Sequence, residues 1–142
     1  DFDLKANKLI NIKSISGLTP IIFSKKSPNI LEILKKNFLV IENNNLNISS
    51  LDRKNIKFDP INYWRGPMWI NLSWLILSGV KKLDINLYNE IKKNCIKKIN
   101  DIGYYEYFNS EDTQNNLSSG IGDNSFSWTA ALMICMLKEI DF

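Results

Sequence analysis

The chain contains no histidine. Without an imidazole there is no Ser-His-Asp or Cys-His triad, and most zinc sites lose a customary ligand, so any hydrolytic chemistry must run on carboxylates. Cysteine is scarce as well. Cys95 and Cys135 each fall in a helical pattern among apolar neighbours, and buried free thiols are expected there rather than a disulfide or a metal pair. No metal and no organic cofactor is implied. Long apolar runs are missing too: the strongest, around residues 68–80, contains Asn71 and Ser73 and is too short to span a bilayer. Strong strand signals are missing. Asp1-Phe2-Asp3 opens the sequence without an initiator methionine, so the true N-terminus is expected to lie elsewhere and the lack of a leader says little. A cytoplasmic location is the working expectation.

What is present fits one globular domain, residues 1–142, with 44% hydrophobic and 23% charged residues. The net charge of +3 comes from 18 Lys and Arg against 15 Asp and Glu. Lysines occur in pairs at 25–26, 35–36, 81–82, 92–93 and 97–98, spread over helical patterns. Solvated helix faces are expected, because a nucleic-acid footprint would cluster the charge on one element. The abundance of Asn, Ile and Lys reads as a bias of genome composition.

Residues 1–13 alternate loosely and suggest an extended lead-in. Residues 16–20 read as a turn before a short helix to about Lys25. Ser27 as N-cap and Pro28 at the first helical position open the next helix, with Ile30, Leu31, Ile33, Leu34 and Phe38 on one face. Residues 42–62 read as a long polar loop. Gly66-Pro67 then starts a helix from Met68 to about Ser78, apolar nearly all round, with Gly79 in the usual C-terminal position. Asp84 or Asn86 caps an amphipathic helix to about Asp101, carrying Leu87, Ile91, Cys95, Ile96 and Ile99 on one stripe and ending at Gly103. After a second loop, 104–124, a last helix runs from Ser125 or Phe126 to about Ile140. No internal repeat stands out. The layout is an all-α set of helical hairpins whose two long loops should lie at one end.

Three segments could carry chemistry. In the first, Asn62 to Trp69, Tyr63, Trp64, Arg65 and Trp69 converge on a helix start, where aromatic faces can stack on sugar rings and a guanidinium can hold hydroxyls or carboxylates. The plain alternative is that both tryptophans anchor the core, as Trp74 is expected to do. In the second, Gly103 to Phe108, one carboxylate, Glu106, sits among four aromatics. Such surroundings exclude water and suit general acid or base work near neutral pH. The alternative is a solvated Glu106 with its neighbours packed inward. Glu111 and Asp112 read as solvated. In the third, Gly120 to Ala131, two glycines permit close backbone approach and Asn124 or Ser125 could cap the helix, while the Gly-x-Gly pair lacks the preceding strand that phosphate binding needs.

In order and spacing, with Tyr63 and Glu106 43 positions apart, these segments resemble glycoside hydrolase family 63 and its trehalase relatives. The resemblance rests on Tyr-Trp-Arg-Gly-Pro-x-Trp-Ile-Asn at 63–71, Gly-x-x-Glu-Tyr-Phe at 103–108 and Phe-Ser-Trp-Thr-Ala-Ala at 126–131, with Gly-Leu-Thr-Pro at 17–20 upstream. It implies the C-terminal part of an (α/α)6 barrel, incomplete in this chain, and looks closest to bacterial mannosylglycerate and glucosylglycerate hydrolases. Glu106 would then be the general base of an inverting reaction, with the second carboxyl roughly 6.5–9.5 Å away. Tyr63, Trp64, Trp69 and Trp128 would line the sugar pocket, and Arg65 would support its loop. The acid, an upstream Asp, matches no segment here, so the remainder of the barrel is the expected partner and the fragment alone is expected to be inactive. Asn109-Ser110 stands where Asp-Pro is usual, Ser73-Trp74 where Asn and Tyr are common, and the loop to Gly120 is longer. These departures touch substrate choice. A small sugar substrate is implied, with no nucleic acid and no membrane as partners. The rival readings are a non-catalytic carbohydrate-binding module and a structural helical piece. Position discriminates: the enzyme reading needs Glu106, Tyr63 and Trp64 to share one opening.

Overall fold

A computed structural model describes residues 2–24, 28–42, 45–111 and 119–139. The lead-in is a small antiparallel pair, β1 (Phe2–Asp3) with β2 (Lys8–Leu9). Next comes a 3-10 segment, Ile15–Phe23, which includes Pro20 and buries Ile15, Ile21 and Ile22. It replaces the expected turn and short helix, because a proline inside the segment removes an N–H donor that a longer α-helix would use. Helix α1 (Pro28–Ile33) begins on the expected proline and passes into a π-type turn, Leu34–Phe38, that buries Leu34 and Phe38. The Ser27 cap lies outside the described residues.

The start of the expected 42–62 loop is strand instead. Strand β3 (Leu39–Glu42) pairs antiparallel with β4 (Asn45–Ile48), in register Leu39 to Ile48 and Val40 to Asn47. The rest of the polar stretch is ordered by its own side chains. Asp52 accepts from the Asn37 amide at 2.7 Å and from the Lys54 N–H at 2.9 Å.

The core is a helical hairpin. Helix α2 (Ile70–Leu83) buries Ile70, Ile76, Leu77 and Val80, and helix α3 (Ile85–Ile102) buries Leu87, Ile91, Cys95 and Ile99 along the stripe read from the sequence. Asp84 caps α3, its carboxylate accepting the Leu87 N–H at 3.0 Å. Lys35 reaches the same carboxylate at 2.8 Å. That hydrogen bond, the Leu87 N–H and the lysine charge hold the Asp84 carboxyl below its ordinary value. Gly79 does not end α2. It lies inside the helix, where an added Cβ would stand 2.6 Å from the Ile21 carbonyl oxygen. Its small size admits the 3-10 segment against α2.

Two strands follow, β5 (Tyr107–Phe108) and β6 (Gly120–Ile121), paired antiparallel with Tyr107 opposite Ile121. Helix α4 (Ser127–Leu137) closes the described chain. Its N-cap is Phe126, with no capping side chain, rather than Asn124 or Ser125. Instead the Asp123 carboxylate accepts the Ser125 N–H at 2.8 Å, so the polar residues turn the chain before the helix. Leu132, Met133 and Met136 pack inward, while Trp128, Ile134 and Leu137 are more than half exposed. Both cysteines are free; burial pushes the Cys95 thiol up to about 12. No described helix is long and apolar enough to cross a membrane.

Candidate active site

The three segments singled out above meet at one end of the α2–α3 hairpin. Helix α2 begins at Ile70, two residues later than expected, because Met68 is used elsewhere. Its N–H donates to the Phe108 carbonyl at 2.8 Å, and the Phe108 N–H donates back to the Met68 carbonyl at 3.0 Å. This exchange ties the Trp64–Trp69 stretch to the strand that follows Glu106. The two long loops also touch: the Ser110 N–H donates to the Pro60 carbonyl at 3.2 Å, and the Asn47 amide to the Ser110 carbonyl at 3.1 Å.

Gly103, at φ 116°, stops α3 and releases an extended run. The Phe126 N–H donates to the Tyr104 carbonyl at 2.8 Å, and the Thr129 hydroxyl to the Tyr105 carbonyl at 2.7 Å. The Glu106 N–H in turn donates to the Asp123 carbonyl at 2.9 Å. Downstream the Asn109 N–H reaches the Ser119 carbonyl at 2.9 Å, and the Lys98 ammonium donates to the Asn109 carbonyl at 2.9 Å. A short segment outside any helix must find partners for its main chain. Here they come from α3, α4, β6 and the start of α2, so Glu106 is carried on a backbone fixed from several sides. Lys98 is buried for this reason, against the expectation that every lysine pair is solvated.

Four aromatic rings pack beside this run. Trp64 stacks on Trp69 with centroids 4.0 Å apart and planes 9° from parallel, and Trp69 stacks on Tyr107 at 4.9 Å and 20°. Tyr63 stands edge-on to all three, 5.5 Å from Trp64, 5.1 Å from Trp69 and 5.5 Å from Tyr107. Each such pair contributes about 0.5–1.5 kcal/mol beyond area burial. The Tyr63 backbone sits at φ 33°, uncommon for a residue with a Cβ, and its carbonyl accepts the Trp69 indole N–H at 3.1 Å. Trp69 and Tyr107 are buried; Tyr63 and Trp64 are about half exposed. The group thus has an inner wall and an outer rim, and the core-anchor reading holds for Trp69 while Trp64 keeps a ring in reach of solvent.

Glu106 is half-buried, with its carboxylate against the bare backbone of Gly122. Burial raises the Tyr107 phenol above its ordinary value of 10.0, and the negative charge of Glu106 and the neighbouring Tyr63 add to the rise. Arg65 turns the other way: its Nε donates to the Lys57 carbonyl at 3.1 Å while the Asp59 N–H donates to the Arg65 carbonyl at 2.8 Å, which braces the loop. Trp128, at the start of α4, is half exposed and pairs with Phe126 at 6.5 Å.

Tyr63, Trp64 and Trp69 are therefore brought together, whereas Trp128 and Arg65 stand on separate supports. Tyr107, Thr129 and Lys98 are not among the expected site residues, whereas Gly122 is one of the two glycines expected to permit close backbone approach. Tyr107 was within reach, being the residue next to Glu106 in an aromatic motif. Lys98 carried no local signal, since its role depends on where β5 ends. Asp112 lies outside the described residues. Among the described residues, no cluster of three His, Cys, Asp or Glu side chains could hold a metal ion.

Paired helices thus carry a carboxylate and packed aromatic rings at one end. The chain belongs to the family described as the mannosylglycerate hydrolase MGH1-like glycoside hydrolase domain, which matches residues 1–129. It is 29% identical over 103 residues to the mannosylglycerate hydrolase of Rubrobacter radiotolerans, covering 72% of this chain and 22% of that protein. Two crystal structures of the glycoside hydrolase family 63 mannosylglycerate hydrolase of Thermus thermophilus superpose with a TM-score of 0.73 each. The complex with glucose is 25% identical and covers 94% of this chain and 34% of its own. The complex with Tris and D-glycerate is 26% identical, with 96% and 32% covered. The chain thus spans about a fifth of the curated relative and a third of the solved structures, and its fold is part of an (α/α)6 barrel.

Proposed function

We propose that residues 1–142 form the C-terminal part of the catalytic domain of an inverting glycosidase, and that Glu106 is its general base. The carboxylate draws a proton from a water that attacks the anomeric carbon, while an acid from the rest of the barrel protonates the leaving oxygen. Tyr63, Trp64, Trp69 and Trp128 line the sugar pocket, and Arg65 holds the loop that carries the first two. The substrate is a small α-glycoside of the mannosylglycerate or glucosylglycerate kind, and the reaction needs no metal or organic cofactor. The observation that carries this reading is the Met68–Phe108 main-chain exchange, which fixes the packed rings of Tyr63, Trp64 and Trp69 to the strand that follows Glu106. Further support comes from the relatives named as mannosylglycerate hydrolases and from the neighbour that holds D-glycerate. The exposed apolar residues of α4 suit packing against the remainder of the barrel.

The test uses the full-length hydrolase, assayed with mannosylglycerate and glucosylglycerate. Glu106→Gln should lower kcat by about 10²–10⁴-fold, the usual weight of a general base, with sugar binding by calorimetry nearly intact. Turnover within a few-fold of the parent would refute the base assignment. The first-formed anomer, read by NMR, should be the inverted one; a retained product refutes the inverting geometry.

A further inference from the structure

We infer that Gly122 is a positioning residue for Glu106: its missing side chain is the space in which the carboxylate is held. This rests on the assignment of Glu106 as base. Beyond the β5–β6 pair, Tyr107 with Ile121 and Phe108 with Gly120, the main chain of Gly122 lies against the Glu106 side chain. The Glu106 N–H donates to the Asp123 carbonyl at 2.9 Å, one residue beyond the regular register, so Gly122 is the extra residue of a bulge beside Glu106.

Non-bonded carbon atoms in ordinary contact stand about 3.5–4.0 Å apart. A Cβ built on Gly122 would lie 2.8 Å from the Glu106 Cβ and 2.5 Å from its Oε2. The glutamate side chain therefore lies on the main chain of residue 122, which closes one side of it and restricts its rotamers. The backbone at Gly122 has φ 82°, a second and separate demand. Asparagine tolerates such a φ far better than alanine, yet it carries a Cβ like any other residue. The two demands can thus be separated by substitution. Misplacing a reacting group by about 1 Å costs on the order of 10²-fold in rate, so loss of this seat should appear in kcat.

In the full-length hydrolase, kcat and KM are measured for Gly122→Ala, Gly122→Asn and Glu106→Gln on the glycerate-linked glycoside it turns over, with thermal midpoints alongside. The expected result is a kcat loss of about 10²-fold in both glycine variants, KM within about fivefold of the parent, and a thermal midpoint higher for Gly122→Asn than for Gly122→Ala. Where Gly122→Ala fails to fold, Gly122→Asn decides alone. An asparagine variant with kcat within threefold of the parent overturns the inference, because φ would then be the whole requirement. A loss confined to KM overturns it as well. The failure of the base assignment is separate and visible: Glu106→Gln would then remain active, whatever the glycine variants do.

Discussion

Gly79→Ala in α2 sets two opposed effects against each other, and the structure gives a size for each. Alanine is the better helix former, and relieving a glycine inside a helix is worth about 1 kcal/mol. Against this stands the 3-10 segment. The new Cβ would lie 2.6 Å from the Ile21 carbonyl oxygen and 2.7 Å from both its carbon and the Ile21 Cγ2, where ordinary contact begins at 3.4 Å. Two of those three atoms are backbone, so no side-chain rotation relieves the contact, and α2 must withdraw from the segment by about 0.8 Å, the difference between 3.4 and 2.6. Ile21, Ile76 and Val80 are fully buried, so the withdrawal opens their packing too. Overpacking of this kind costs about 1–3 kcal/mol with the surroundings partly relaxed, and the absence of a yielding side chain places this site at the upper end. The net expectation is a loss of about 1–2 kcal/mol after the helix gain is subtracted. Urea unfolding of the full-length protein, followed by circular dichroism, should show a lower midpoint with an unchanged slope. A midpoint equal to the parent's, or higher, would refute the packing account of Gly79 and restore propensity as the larger effect.

Two further outcomes follow from the same structure. Trp69→Phe removes the indole N–H that holds the Tyr63 carbonyl and part of a ring stacked between Trp64 and Tyr107, so about 2–3 kcal/mol of stability should be lost, with a rise in KM as Tyr63 leaves its strained backbone; an unchanged KM would show that the rim does not depend on that anchor. Asp84→Ala should cost about 1 kcal/mol at pH 7 through the lost helix cap. The Asp84 carboxyl is depressed below 3.8 in the folded protein, so its contribution is present in full above that value and fades as pH falls through the lower folded value. Stability curves of parent and variant should therefore converge only below pH 3.8, and convergence at higher pH refutes the assignment.

The amphipathic helix was legible because its signals are local. The stripe from Leu87 to Ile99, the Asp84 cap and the Gly103 stop lie within one stretch of chain, and each appears as read. Elements that depend on a distant partner were not. The sequence Leu-Val-Ile-Glu at 39–42 is too short to declare a strand without Asn45–Ile48 opposite, and the asparagine-rich surroundings read as loop. Met68 and Trp69 have helical neighbours on one side, but the main chain of Met68 is committed to Phe108, 40 positions on. Gly79 closed an apolar run and so read as a helix end, although its reason is the approach of Ile21, 58 positions earlier. At the candidate site the rings and the carboxylate were legible by type. Their supports were not, since Lys98 and Thr129 act on carbonyl groups that every residue carries.

That division bears on how the site is built. A carboxylate on a helix is placed by its rotamer against the turns above and below it. Glu106 instead stands in an extended run whose carbonyl and N–H groups are paired with α4, β6 and the start of α2. Its position is then set by main-chain hydrogen bonds, by the Thr129 and Lys98 side chains that reach the run's carbonyl groups, and by the bare backbone beside it at Gly122. The Tyr63–Trp69 segment is fixed to the same strand through Met68, so rings and carboxylate share one frame although they are far apart in the chain. A disturbance of the Met68–Phe108 pair would shift both together, whereas a side chain at residue 122 would shift Glu106 alone. Binding and turnover should therefore separate at Gly122 and fall together at Met68.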